Sequence, residues 1–262
     1  MAIRQNIRGL TAADLSALRR AFRQAMAIND ERGYEYFASL HGLPLPIDCQ
    51  HGNLLFLPWH RAYLYFMELA LQDLEPGVAL PWWDWSSEVS HREGLPPAFS
   101  AAMADGEANP LFDAAIGWTP ALVRNVRRQI PGVLTSSTPP RTRRDPDAPD
   151  ELPRRATVES VLAAPTFEDF SMRMENVHNA VHVWVGGSMS AVPAAGYDPI
   201  FWAHHTMVDR LWRLWQMAHP GVDPGADLLD TVLTPFAMTV ADTLNVNALG
   251  YDYAVEMTVW EA

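Results

Sequence analysis

Apolar residues recur at helical spacing in several stretches of this chain. Over residues 11–28, Leu15, Leu18, Phe22 and Met26 mark one face, the period of an amphipathic helix. Thr11 stands where an N-cap side chain is needed, and Asp14 falls in the first turn, where a carboxylate meets the positive end of the helix dipole. A second run covers 58–74, from Pro58 through Trp59, Tyr63, Phe66, Met67 and Leu71 to Gln72. Pro58 suits a first-turn position, because the N–H it lacks would have no partner there. Helical patterns return at 166–183 and 200–217, and a shorter one at 120–130. Residues 75–110 are broken by Pro76, Gly77, Pro81, Gly94, Pro96 and Pro97 and read as loop. Residues 131–155 mix Pro131, Pro139, Pro140, Pro146, Pro149 and Pro153 with arginines and acids of nearly alternating sign, which reads as a surface loop. A short strand is expected near 253–260. The pattern predicts a mainly α fold: a four-helix bundle core with long loops and little β structure.

Composition narrows this further. At 262 residues the chain lies between one and two average domains. Charged residues make up 19%, below the roughly 25% of an average globular protein, so much of the chain is expected to be buried. The net charge of −12 argues against a polyanionic partner such as nucleic acid. A single cysteine excludes an internal disulfide framework. The opening MAIRQNIRGLTAADLSALRR has no apolar core of a signal peptide, and no run is long enough to span a membrane. The expected location is the cytoplasm, or outside the cell if the chain is exported with a partner.

The nine histidines carry the chemistry. His178 and His182 are four apart and share a helix face. His205 lies on the next predicted helix, after a turn containing Gly186, Gly187 and Gly196. Packing of those two helices brings it against the first pair. Asp209, one turn beyond His205, is expected to orient an imidazole or to pair with Arg210 or Arg213. His51 and His60 are nine apart, about 180° around a continuous helix, so they converge only if the helix starts between them, as Pro58 suggests. His41 is expected from the loop before. Three plus three imidazoles without a carboxylate differ from di-iron carboxylate bundles. Such a set suits copper or zinc, with copper the tighter binder. The absence of HExxH removes a zinc protease.

These segments resemble a known family. The stretch 51-HGNLLFLPWHRAYLYFMELAL-71 is similar to the first copper motif of tyrosinases, catechol oxidases and molluscan haemocyanins, and 178-HNAVHVWVGGSMS-190 with 198-DPIFWAHHTMVDRLW-212 to the second. The run 81-PWWDW-85 resembles the family's Pro-Tyr-Trp-Asp-Trp, with Trp82 in place of tyrosine. The resemblance implies two copper ions in a type 3 dinuclear centre, one on His41, His51 and His60, the other on His178, His182 and His205, with dioxygen as co-substrate. In the His204–His205 pair the family's ligand is the second, which leaves His204 as a neighbouring core histidine. His91 and His219 match no motif and are read as solvated.

Further roles follow from the same resemblance. Cys49 and His51 match the Cys-x-His of fungal tyrosinases and molluscan haemocyanins, which implies a thioether crosslink. Asn179 resembles the asparagine that, with a glutamate, holds a water in monophenol-active members. Glu175 is the expected partner, with Glu168 and Asp169 as alternatives. Val183, directly after His182, takes a substrate-facing position, and an apolar residue there suggests an uncharged or weakly charged aromatic. Phe201 resembles the phenylalanine beside the coppers and is expected, with Val183, to bind substrate, and Phe56 is expected to pack similarly. The segment 249-LGYDYAV-255 resembles the Tyr-x-Tyr run that closes the catalytic core, with Arg4 or Arg8 as its partner. The expected whole is one catalytic domain over 1–262 with no C-terminal plug. Its expected activity is o-hydroxylation of monophenols and oxidation of o-diphenols to o-quinones, or catechol or o-aminophenol oxidation without hydroxylation. An oxygen carrier and a zinc hydrolase are the remaining readings. A small phenol and a copper chaperone are the expected partners.

Overall fold

The computed structural model describes residues 1–44 and 47–254. Five helices organise it: α1 (Ala12–Ala27), α2 (Tyr34–His41), α3 (Phe56–Leu74), α4 (Phe167–Val185) and α5 (Ile200–Ala218). The Thr11 hydroxyl accepts from the Asp14 N–H and caps α1, as the sequence suggests. The Thr166 hydroxyl caps α4 in the same way through Asp169 N–H.

Helices α3 and α5 form the centre. Residues Phe56–Leu64 of α3 are all buried, and so is Ile200–Trp212 of α5. A helix apolar on nearly every side belongs in the middle of a bundle. α3 packs against α1, α4 and α5, and α4 also packs against α5. α3 starts at Phe56, two residues before the expected start, so Pro58 is its third residue and still in the first turn.

The segments read as loops hold more structure than their proline content suggests. Residues 75–110 contain helices Glu88–Glu93 and Pro97–Ser100 and a two-residue hairpin pairing Met103–Ala104 with Glu107–Ala108. These pieces are shorter than the window over which periodicity is visible. Pro120–Gln129 is helical as expected, and Arg155–Leu162 is a further helix at the end of the arginine-rich loop. That loop is anchored by Arg144. Its Nε donates to both oxygens of the fully buried Asp198 (2.9 and 3.0 Å), the carboxylate that also accepts from Ile200 N–H at the start of α5.

The two ends of the described chain meet. β1 (Ala2–Arg4) pairs in parallel with β2 (Tyr251–Tyr253), with Ala2 opposite Tyr251 and Arg4 opposite Tyr253. The strand expected near 253–260 therefore falls two residues earlier, and residues 255–262 lie outside the described residues. Of the two arginines proposed for the Tyr-x-Tyr run, Arg4 is the partner: its guanidinium lies 3.6 Å over the Tyr251 ring, and its Nη1 donates to Tyr253 OH at 3.1 Å. Arg8 instead pairs with Glu93 near the surface.

Candidate metal centre

Four helices and one loop supply the six predicted histidines. His41 ends α2, His60 is the fifth residue of α3, His178 and His182 lie one turn apart on α4, and His205 is on α5. His41 is thus helical, not in a loop. α2 is only eight residues long and has no side-chain cap, so neither signal was available in the sequence. Only His51 among the six lies outside regular structure.

Hydrogen bonds fix which ring nitrogen faces inward. The Nδ1 atoms of His60 and His182 donate to the carbonyls of Phe56 (2.8 Å) and Met189 (2.7 Å), and His178 Nδ1 donates to Asn179 Oδ1 (3.0 Å). With the proton on Nδ1, each Nε2 keeps its lone pair free. The Nε2 atoms of His178 and His182 converge on His205 Nε2 at 3.1 and 3.2 Å. The ligating atoms of His41, His51 and His60 lie within 4.8 Å of one another. The two triads face each other, with the His60 and His205 rings stacked at 4.5 Å and the His51 and His178 rings at 5.9 Å.

These residues fit a metal pair. His60 Nε2 is buried without a hydrogen-bond partner, and leaving such an acceptor dry costs about 1–3 kcal/mol. Three inward lone pairs cannot satisfy one another with one mobile proton, whereas a cation satisfies them together. Burial, reinforced for His41, His60, His178 and His205 by the neighbouring imidazoles, holds the pKa values below the ordinary range, so the rings stay neutral and able to ligate. His51 and His182 fall to about 4, chiefly through burial. In the metal-free protein this sets a pH dependence. Above about pH 6.5 folded and unfolded chains both carry neutral imidazoles. Between about 6.5 and 4 only the unfolded chain takes up protons, so stability falls as pH falls. Thermal melts of chelator-treated protein from pH 7.5 to 4.5 should show this loss, and the metal-loaded protein a smaller one until protons displace the metal.

The aromatic wall is packed. Phe56 lies 4.9 Å from both His60 and His178. Phe201 stacks on His205 at 4.0 Å and meets His41 edge-on at 4.7 Å. Phe201 is fully buried and packs against the ligand rings. His204 is also fully buried and joins the His178, His182 and His205 cluster, its ring stacked on His178 at 5.1 Å. His205, not His204, places Nε2 at contact distance from the other two. His91 and His219 are half-buried, each with a carbonyl partner (Pro153 O and Trp215 O), and are not solvated loop residues.

Asp209 does not touch an imidazole. Its carboxylate accepts from Arg61 Nε (2.5 Å), Arg4 Nη1 (3.1 Å), Tyr251 OH (2.7 Å) and Tyr253 OH. Arg61 directly follows His60, so this buried ion group joins the two central histidine helices. The histidine positions were legible in the sequence, but this network was not: its members come from β1, α3, α5 and β2. The Met189 carbonyl that orients His182 was likewise invisible, since any residue supplies a carbonyl. Trp82, in place of the family's tyrosine, is fully buried with the Arg210 guanidinium 4.0 Å over its ring.

Asn179 is exposed and Glu175 half-buried, one helical turn apart on α4 beside His178. Glu175 Oε1 accepts from the Gly52 N–H at 2.7 Å. Glu168 and Asp169 lie in the first turn of α4, away from the histidines, and Asp169 pairs with Arg173. Val183 is 64% exposed, next to His182 at 8%. Cys49 Sγ lies 3.6 Å from His51 Nδ1, and burial pushes its thiol pKa up to about 12.

Six imidazoles on a helical bundle, in two adjoining histidine clusters with no carboxylate among them, define a histidine-only dinuclear metal protein. The sequence profile of the common central domain of tyrosinase matches residues 31–218. A tyrosinase of Streptomyces lincolnensis is 35% identical over 88% of this chain and 89% of its own. Among solved structures, a functional unit of octopus haemocyanin superposes with a TM-score of 0.79 at 29% identity, over 97% of this chain and 68% of that one. Tyrosinase from Burkholderia thailandensis gives 0.73 at 25% identity, over 97% and 73%. The chain belongs to the tyrosinase family. It is a tyrosinase-type copper oxidase, and its metal centre is the type 3 copper pair. No helix among the described residues is long and apolar enough to cross a membrane.

Proposed function

We propose that this chain hydroxylates monophenols at the ortho position and oxidises o-diphenols to o-quinones with dioxygen. The observation that carries the monophenol step is the Glu175–Asn179 pair, one turn apart on α4 beside His178. Copper held by the six histidines would activate dioxygen, which supplies the oxidising equivalents. The protein supplies the rest. A phenol with a pKa near 10 has to lose its proton before it becomes a good nucleophile. A carboxylate at hydrogen-bond reach, directly or through one water, can take that proton. Oε1 of Glu175 is engaged by Gly52, which leaves Oε2 for this task. Partial burial raises the Glu175 pKa, countered in part by the Gly52 bond, and a raised pKa makes a carboxylate a better base.

The entrance suits a weakly charged aromatic. Val183 presents an exposed apolar side chain next to His182, the more exposed of the two α4 ligands. The deciding assay compares tyramine or p-cresol with catechol. Turnover of both supports the proposal. Turnover of catechol alone makes the protein a catechol or o-aminophenol oxidase and removes the role given to the Glu175–Asn179 pair.

We also propose a thioether between Cys49 Sγ and a ring carbon of His51. The S–C bond replaces one S–H and one C–H bond, and the two electrons and two protons pass to dioxygen. The crosslink would hold the ring of the one ligand outside regular structure. Copper-loaded, aerobically matured protein should be two hydrogens lighter than its sequence and should resist alkylation at Cys49 after denaturation. An unmodified mass with a reactive thiol would remove the crosslink.

A further inference from the structure

The loop carrying His51 has an anchor on the opposite half of the site. Gly52 directly follows His51 and takes φ +68, which turns its N–H toward α4. There it donates to Glu175 Oε1 at 2.7 Å, across 123 residues of sequence. Before His51 the loop is tied to α2 by Asp48 N–H on Leu40 O (3.3 Å) and Cys49 Sγ on His41 O (3.5 Å), and after it the other hydrogen bonds are local. Asn53 Nδ2 donates to Gln50 Oε1 (3.1 Å) and His51 O (3.3 Å), and Asn53 Oδ1 accepts from Leu55 N–H (2.8 Å). These local bonds shape the loop, and the Gly52–Glu175 bond is what ties it to α4. Glu175 lies on the helix of His178 and His182, and the His51 and His178 rings stack at 5.9 Å.

We infer that Glu175 is a positioning residue: a latch that holds His51 in the first copper triad through the Gly52 N–H. This rests on the assignment of His51 as a copper ligand. It adds to the proton-accepting role above, because the two tasks use different oxygens. The latch needs an acceptor atom, not a negative charge. Glutamine keeps that acceptor and removes the base, whereas alanine removes both. The latch also ties one half of the centre to the other, so losing it loosens the first copper while the second keeps all three ligands on helices.

The experiment compares Glu175→Gln and Glu175→Ala in the copper-loaded protein. Copper release to a chelator is followed as two phases, and hydrogen exchange is measured on the peptide spanning residues 48–56. In Glu175→Ala one copper should bind about 10–100-fold more weakly, the usual penalty for losing a group that orients a ligand. The other copper should be released as in the parent, and exchange in the loop should rise. Glu175→Gln should match the parent in both measurements. Parent-like copper retention and exchange in Glu175→Ala would overturn the latch, and so would Glu175→Gln behaving like Glu175→Ala. The tyramine-to-catechol ratio of Glu175→Gln tests the base separately. An unchanged ratio removes the base and leaves the latch standing, while a lost ratio with intact copper supports both.

Discussion

His205→Gln is expected to bind one copper instead of two and to oxidise neither catechol nor tyramine. His205 is the hub of its triad, with Nε2 at 3.1 and 3.2 Å from the Nε2 atoms of His178 and His182. Its ring is clamped between Phe201 at 4.0 Å and His60 at 4.5 Å. Glutamine roughly preserves the volume, which keeps the packed wall closed while removing the imidazole. The loss should exceed the about 10–100-fold typical of a group that only orients a ligand. His204→Gln is the control: His204 is equally buried and has a ring nitrogen within 4.8 Å of the others, but only His205 places Nε2 at 3.1 and 3.2 Å from His178 and His182, while neither ring nitrogen of His204 has a hydrogen-bond partner. That variant should keep two coppers. Metal analysis of both variants, with circular dichroism to confirm the fold, decides it, and the reverse pattern would exchange the two assignments.

Asp209→Asn should cost the most stability of any single polar change. Asp209 is buried and accepts from two fully buried arginines and two tyrosine hydroxyls. Burial alone would push its carboxyl pKa up, but the Arg61 and Arg4 guanidiniums and the hydrogen bonds prevail and hold it below the usual range. Asparagine leaves Arg61 without its carboxylate and Arg4 with Glu68 alone. Removing one partner of a buried ion pair costs about 3–5 kcal/mol, a large part of a stability of about 5–15 kcal/mol. The melting temperature should fall by roughly 6–20 °C. Because the folded pKa is lowered, the stabilisation is complete above the ordinary carboxyl range near pH 4 and is lost only as pH falls through the lowered value. The difference between parent and variant should therefore be full at pH 7 and shrink in strong acid. Copper retention should fall as well, since Arg61 and Asp209 sit one residue after His60 and one turn after His205.

The histidines were legible because their spacing carries geometry. His178 and His182 at i and i+4 share a face whatever surrounds them, and Pro58 marked a helix start that separates His51 from His60. The caps at Thr11 and the long apolar runs of α3 and α5 were readable for the same reason: they are local. α2 was missed because eight residues without a capping side chain leave too short a pattern. The packing of Phe201 against His41 and His205 likewise depends on tertiary contacts.

The sequence by itself determined the mainly helical fold, the two histidine groups, the exclusion of a carboxylate-ligated metal pair and the family motifs. These depend on residue type and on spacings of a few residues along one helix. Only the tertiary structure decided which nitrogen of His60, His178 and His182 faces the centre, that Asp209 serves Arg61 and Arg4 and not an imidazole, and that Glu175 reaches Gly52. Those choices depend on groups 40 or more residues apart, on backbone carbonyls that carry no residue identity, and on burial, which makes an unpaired polar atom costly enough to dictate its partner.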